Sequence, residues 1–378
     1  MDISTICVHG CSKKYDTTGA VSVPIFASST FAHPGVGQST GFDYSRTQNP
    51  TKEHLEQTVT ALEGGADTIA FSSGMAAVSA LMELFSPGDH VVASYDLYGG
   101  TFRLFTHISE KNGVKFSYAA NTEEVAAKAT PATKAVFIET PTNPMMNVID
   151  IAAVAKTAKN INLLLIVDNT FLTPVFQKPL ALGADIVLHS GTKYLGGHND
   201  ALAGMLTVKD SRLSEKLRYI SKTTGASLSP FESFLIVRGI KTLALRMERH
   251  NKTALAAAKW LTEQKKVKKV YYIGLQDHPD YEISCRQASG FGGMISFSVD
   301  NEQTAASILE NVKIIKYAES LGGTESLITY PILQTHADLP QNEREARGID
   351  GCLLRLSVGL ESLDDIISDL KQAIDGGK

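Results

Sequence analysis

The chain has 378 residues, 43% hydrophobic and 20% charged, enough to build one large and one smaller domain with substantial cores. Its net charge of −4 gives no electrostatic reason to expect nucleic acid or an anionic membrane as a partner. The central apolar run LLLIV at 163–167 is far too short to cross a bilayer, and the start MDISTICVHG lacks a basic segment followed by an apolar one, so no membrane association is expected and the cytoplasm is the expected compartment.

Residues 1–46 are irregular and rich in Ser, Thr, Gly and Pro, and they read as an extended N-terminal arm. Cys7, His9 and Cys11 form a C-x-H-x-C cluster in that arm. No second ligand pair follows at metal spacing, so no metal is expected. Together with Cys285 and Cys352 these cysteines are few and scattered, the pattern of free thiols in a reducing compartment.

From 47 to 235, short β-rich runs alternate with helical stretches: DTIAF, HVVASY, KFSYA, KAVFIET, LLLIVDN and DIVLHS are separated by segments such as GMAAVSALMELF and IAAVAKTAKN. That alternation predicts an α/β domain with a mostly parallel sheet covered on both faces, which binds its ligand at the carboxyl ends of its strands. Residues 236–378 open with the helical stretch LALRMERHNKTALAAAKWLTEQ, continue through a strand at GGMISFSV and close on a helix, so a smaller C-terminal α+β domain is expected. No internal repeat is evident.

The residues that carry chemistry follow the predicted strands. FSSGMAA comes after DTIAF and opens a helix, so the amides of Gly74 and Met75 are expected at a helix N-terminus, where phosphate binds well. Tyr98 follows HVVASY and offers an aromatic face, and Asn143 follows KAVFIET in ETPTNP. Asp168 ends the LLLIVDN strand, and Lys193 follows two hydroxyls, Ser190 and Thr192, in HSGTKYLGGH. An amine that can condense with an aldehyde, an acid that can keep a pyridine nitrogen protonated and hydroxyls that can ligate phosphate are the requirements of a pyridoxal 5'-phosphate site.

In order, DYSRTQNPT, SSGMAA, YGGTF, ETPTNP, VDNTF, HSGTKYLGGH, AESLGGTESL and LLRLSVGLE resemble the Cys/Met metabolism family of pyridoxal phosphate enzymes, over residues 43–361. The resemblance is closest to the branch of cystathionine γ-synthases and O-acylhomoserine sulfhydrylases. It implies the fold-type-I transferase architecture, with Lys193 as the Schiff-base lysine, Asp168 on the pyridine nitrogen and Tyr98 stacked on the ring. Gly74, Met75, Ser190 and Thr192 would hold the phosphate. Tyr44 and Arg46 would reach the phosphate site of a neighbouring subunit, which implies a homo-oligomer, most simply a dimer of dimers. Arg355, helped by Ser320 and Asn143, would grip the substrate α-carboxylate, a task that suits a planar guanidinium fork.

The resemblance therefore implies small amino-acid substrates and either γ-replacement on an O-acylhomoserine by cysteine or elimination from cystathionine. Two departures set the chain apart from the methionine-degrading members of the family. Methionine-degrading members typically carry cysteine two residues after the stacking tyrosine, where this chain has Gly100. The acid Glu319 precedes Ser320, as in cystathionine-handling members, and could attract a distal ammonium; a solvated carboxylate is the plainer alternative. Gly191 within HSGTK replaces another small residue and changes little. Ser190 and Lys193 also spell S-x-x-K, but S-D-N is missing and KTTG at 222–225 is an imperfect K-T-G, which argues against a serine hydrolase.

Overall fold

The computed structural model describes residues 1–10, 18–337 and 339–376. All six apolar runs named above form strands: β1 (Asp67–Phe71), β2 (His90–Ser94), β3 (Lys115–Ala119), β4 (Thr133–Glu139), β5 (Leu164–Asp168) and β6 (Ile186–Ser190). A further strand, β7 (Gly204–Val208), is buried throughout and is not singled out by the alternation of runs. The sheet order is β1-β7-β6-β5-β4-β2-β3. Strands β2 to β6 pair in parallel, and β7 runs antiparallel to both of its neighbours.

Successive residues of each central strand enter two different cores. In β4, Ala135 and Phe137 join the cluster that holds Val91 and Ile166, whereas Val136 and Ile138 join the one that holds Val92 and Val167. Both faces are therefore dry, which is why these strands read as unbroken apolar runs. The helices that cover them start where the sequence supplies caps. Helix α2 (Pro50–Glu63) begins on the Asn49 side chain with proline in its first turn and ends on Gly64 in the left-handed region. Helix α3 (Gly74–Met82) begins on Ser73.

The arm read as irregular contains one regular element, α1 (Ile3–His9). Asp2 caps it, and Ile3, Ile6 and Cys7 lie at helical spacing. Cys7 is buried in the core that also contains Leu55 and Val59, while Ile3 and Ile6 pack against it. This short amphipathic turn is stabilised by tertiary packing, a contribution that local composition does not register.

The second sheet comprises β8 (Val267–Tyr271), β9 (Met294–Val299), β10 (Lys316–Tyr317), β11 (Leu327–Thr329) and β12 (Leu353–Ser357), in the order β10-β11-β12-β9-β8. Only the β10–β11 pairing is parallel. The helices Leu243–Thr262 and Leu363–Ile374 supply Ala257, Leu261, Ile366 and Leu370 to the core against it. Among the described residues no helix is long and apolar enough to cross a membrane. The carboxyl ends of β2, β4, β5 and β6 open toward the loops around β12, and the site lies there.

Candidate active site

A cavity of about 220 Å³ lies at these strand ends. At one end of it stands the start of α3. The Ser73 hydroxyl accepts from the Ala76 amide at 3.0 Å and its carbonyl accepts from Ala77 at 3.1 Å. Among the described residues, the amides of Gly74 and Met75 have no acceptor. A Cβ built on Gly74 would lie 3.1 Å from both Cβ and Oγ of Ser190, so glycine there lets the helix start approach that hydroxyl without crowding it. The Thr192 hydroxyl accepts from the Ala203 amide at 3.1 Å. Free amides at a helix N-terminus beside two hydroxyls form a cradle for a dianion.

Asp168 ends β5 in the middle of the cavity. Its Oδ1 accepts from the Thr170 amide at 2.9 Å and the Thr170 hydroxyl at 2.6 Å, and the same hydroxyl accepts from the Ser190 amide at 2.9 Å. Thr170 thus ties the end of β5 to the end of β6. Burial pushes the Asp168 carboxyl above its usual range, and the Thr170 hydrogen bonds and then His189 oppose that shift. Directly opposite on β4, in register with Asp168, is Glu139. Burial first, and the neighbouring Asp168 charge second, push Glu139 well above the ordinary carboxylate range.

Tyr98 precedes the short helix Gly99–Leu104. Tyr98 is 39% exposed, although Leu97 before it is fully buried. A Cβ at Gly100 would lie 2.5 Å from Cε1 of the tyrosine ring, so the ring position depends on glycine there. Any side chain at 100, cysteine included, requires the tyrosine to turn.

The Lys193 amine donates to the Ser320 hydroxyl at 2.9 Å. Burial and then the Arg355 guanidinium lower its pKa to about 8, with Glu319 opposing. Ser320 holds a positive φ of 90°, a conformation costly for a residue with a side chain. Its carbonyl accepts from Arg355 Nη2 at 2.8 Å. Arg355, on β12, is only 2% exposed, and its Nη2 and Nη1 also donate to Thr329 Oγ1 at 3.0 Å and Asn143 Oδ1 at 2.9 Å. Its buried Nε has no partner among the described residues. A buried guanidinium with an unused donor beside a cavity is the arrangement that receives a carboxylate.

Eleven residues singled out from the sequence therefore line one cavity: Gly74, Met75, Tyr98, Asn143, Asp168, Ser190, Thr192, Lys193, Glu319, Ser320 and Arg355. Tyr44 and Arg46 do not. The Arg46 guanidinium donates to the Lys222 carbonyl and stacks 5.4 Å from the ring centroid of Tyr44, a residue that is 46% exposed. Cys11, of the C-x-H-x-C cluster, lies outside the described residues. Sequence reasoning passed over Glu139, Thr170 and Thr335, all of which line the cavity. The signal for Glu139 was available, since it is the first letter of ETPTNP and lies one residue before the end of the predicted run KAVFIET.

These features fit pyridoxal phosphate. An amide and hydroxyl cradle matches its phosphate, an uncompensated acid matches its ring nitrogen, an exposed tyrosine face matches its ring, and an amine of lowered pKa matches its aldehyde. In cofactor-free protein, Lys193 should therefore react with a neutral amine-directed reagent at a rate that is half-maximal near pH 8. Raising pH removes the proton, so the rate climbs through that value and levels off, whereas an ordinary lysine is still climbing near pH 10. Quantified labelling of the Lys193 peptide checks this, and a profile that rises through pH 10 contradicts the electrostatics described.

Comparison with known proteins agrees. The family of Cys/Met metabolism PLP-dependent enzymes matches residues 4–375. A cystathionine γ-synthase from Haemophilus influenzae is 49% identical over 374 residues, covering 98% of this chain and 97% of that one. A cystathionine β-lyase from Lactococcus lactis subsp. cremoris is 47% identical over 375 residues, covering 99% of each. The crystal structure of cystathionine γ-synthase from Xanthomonas oryzae pv. oryzae in complex with aminoacrylate and cysteine superposes with a TM-score of 0.97 at 38% identity, covering 100% of this chain and 98% of that one.

Proposed function

This chain belongs to the Cys/Met metabolism PLP-dependent enzymes, and we propose that within that family it carries out γ-replacement on an O-acylhomoserine with cysteine. The Cγ–O bond of the substrate breaks, a carboxylic acid leaves, and a Cγ–S bond forms to give cystathionine. Relatives named synthase and lyase are almost equally similar, so identity does not choose between the two activities. The observation that carries the choice is the acid Glu319 on the rim of the cavity, beside Ser320 and near enough to Lys193 and Arg355 to oppose the lowering of both pKa values.

In this reading the Gly74 and Met75 amides with the Ser190 and Thr192 hydroxyls hold the phosphate, Asp168 holds the ring nitrogen, Tyr98 covers the ring, and Lys193 engages the aldehyde. The cofactor, when bound, supplies an electron sink that acidifies the substrate Cα–H. Arg355 takes the α-carboxylate on its free donor, with Asn143 fixing the fork. The Lys193 amine, released from its bond to Ser320, removes the Cα proton and serves again at Cβ, so that the acyl group can depart from Cγ. Ser320 keeps that amine beside the clamp between proton transfers. Glu319 then attracts the ammonium of the incoming cysteine. Tyr44 and Arg46 complete the phosphate site of a second copy, which makes the working unit at least a dimer.

Steady-state assays with acetyl-, succinyl- and phospho-homoserine, each with and without cysteine, test this reading. Cysteine-dependent cystathionine formation supports it, and turnover of cystathionine alone favours a lyase. Glu319→Ala should leave elimination from O-acylhomoserine largely intact, because Lys193 does that work. Capture of cysteine should fall by roughly 1.5 to 3 kcal/mol, about ten- to a hundredfold, while capture of sulfide, which has no ammonium, is spared. The measurement is the ratio of cystathionine to 2-oxobutanoate. An unchanged ratio makes Glu319 a bystander.

A further inference from the structure

Glu139 is 6% exposed and forms no ion pair among the described residues, yet it lines the cavity. Its two carboxylate oxygens are divided between two segments. Oε2 accepts from the Tyr98 amide at 2.9 Å and Oε1 from the Asn143 amide at 3.0 Å. Its own amide donates to Ser94 Oγ at 3.1 Å, which anchors it across β2 and β4. Asn143 in turn accepts from Arg355 Nη1, so one chain of hydrogen bonds runs from the tyrosine backbone to the guanidinium.

We propose that Glu139 is a positioning residue that holds the aromatic wall and the carboxylate clamp in one frame, with one oxygen on each. This rests on the roles given above to Tyr98 and Asn143. The side-chain chemistry is restrictive. Two amides that both donate need two acceptors at fixed separation and no donor between them, which a carboxylate provides; glutamine of the same length turns an N–H₂ toward one of the amides. An acid here is also expensive, because it is buried and faces Asp168 in register. A tie with only a structural purpose could be made by neutral groups. The cost is explained if the tie sets the distance between ring wall and clamp, and if the second acid draws cationic ligand atoms to Asp168.

The test begins with cofactor-free protein. Amide hydrogen exchange in peptides containing Tyr98 and Asn143 should accelerate about tenfold or more in both segments of Glu139→Ala, and in one segment of Glu139→Gln, relative to wild type. In the same Glu139→Gln protein, the dissociation constant of pyridoxal phosphate and, after reconstitution, that of glycine should each rise roughly tenfold. Glu139→Asp keeps two acceptors and the charge but is one methylene short, so it should show the same paired weakening; it covers the case in which the glutamine variant fails to fold. Faster exchange with both constants unchanged, or a shift in only one of them, overturns the shared frame. Borohydride-fixed cofactor found away from Lys193 would instead overturn the functional reading, and the exchange result would stand apart from it.

Discussion

Lys193→Ala is expected to lower turnover by several orders of magnitude while the protein still takes up pyridoxal phosphate noncovalently. Among the described residues the amine is the only one lining the cavity, it donates to Ser320 at 2.9 Å, and its pKa near 8 keeps a usable fraction unprotonated close to neutrality. Its removal deletes the covalent anchor and the proton carrier together, and such losses are not additive. The cradle, Asp168 and Tyr98 are untouched by the change, which is why uptake should persist. Borohydride reduction and peptide mapping of wild type should find the cofactor on Lys193, and the variant should carry none after denaturation. Label on a different lysine would remove the basis for every role assigned to this residue.

Arg355→Leu is expected to cost about 3 to 5 kcal/mol in kcat/KM, roughly a hundred- to several-thousandfold, with most of the loss in KM. Three of its hydrogen bonds go to Asn143, Ser320 and Thr329, so the guanidinium is already oriented, and the unpartnered Nε is left for a ligand. Arg355→Lys should recover little, because a point charge cannot keep three fixed partners and also offer a fork. The discriminating measurement compares a substrate with its decarboxylated analogue. Wild type should prefer the carboxylate strongly and Arg355→Leu hardly at all. Retained preference would mean that the carboxylate is bound elsewhere.

The large sheet was legible because its central strands are buried on both faces and therefore announce themselves as apolar runs bounded by turns. Strand β7 was harder to see, since GMLTV follows the functional loop without a helical partner between and enters the sheet antiparallel. Helix α1 escaped because its stability comes from the core that Cys7 enters. Within the site, residues that touch a ligand directly have recognisable chemistry, and their positions after strands made them readable. Glu139 accepts from the Tyr98 and Asn143 amides and the Thr170 hydroxyl from the Ser190 amide, and such partners exist only once the chain is folded. Ser320 could be named from its motif, but its left-handed backbone could not, because nothing in a serine signals it.

The order of the strands has one more consequence, for the direction in which a ligand can enter. Amide donors stand at the start of α3, which packs on β6 and β7, and the two acids end β5 and β4 next in line. The row of strand ends is therefore polarised along the sheet, donor-rich at α3 and acid-rich at β5 and β4, while the Arg355 donor comes from β12 of the other sheet. A flat guest with an anionic arm and a basic nitrogen has a single favourable heading in such a slot, like a keyed connector, and a reversed guest would set anion against acid. Swapping individual side chains could weaken either pole, but inverting the key would require re-threading the sheet.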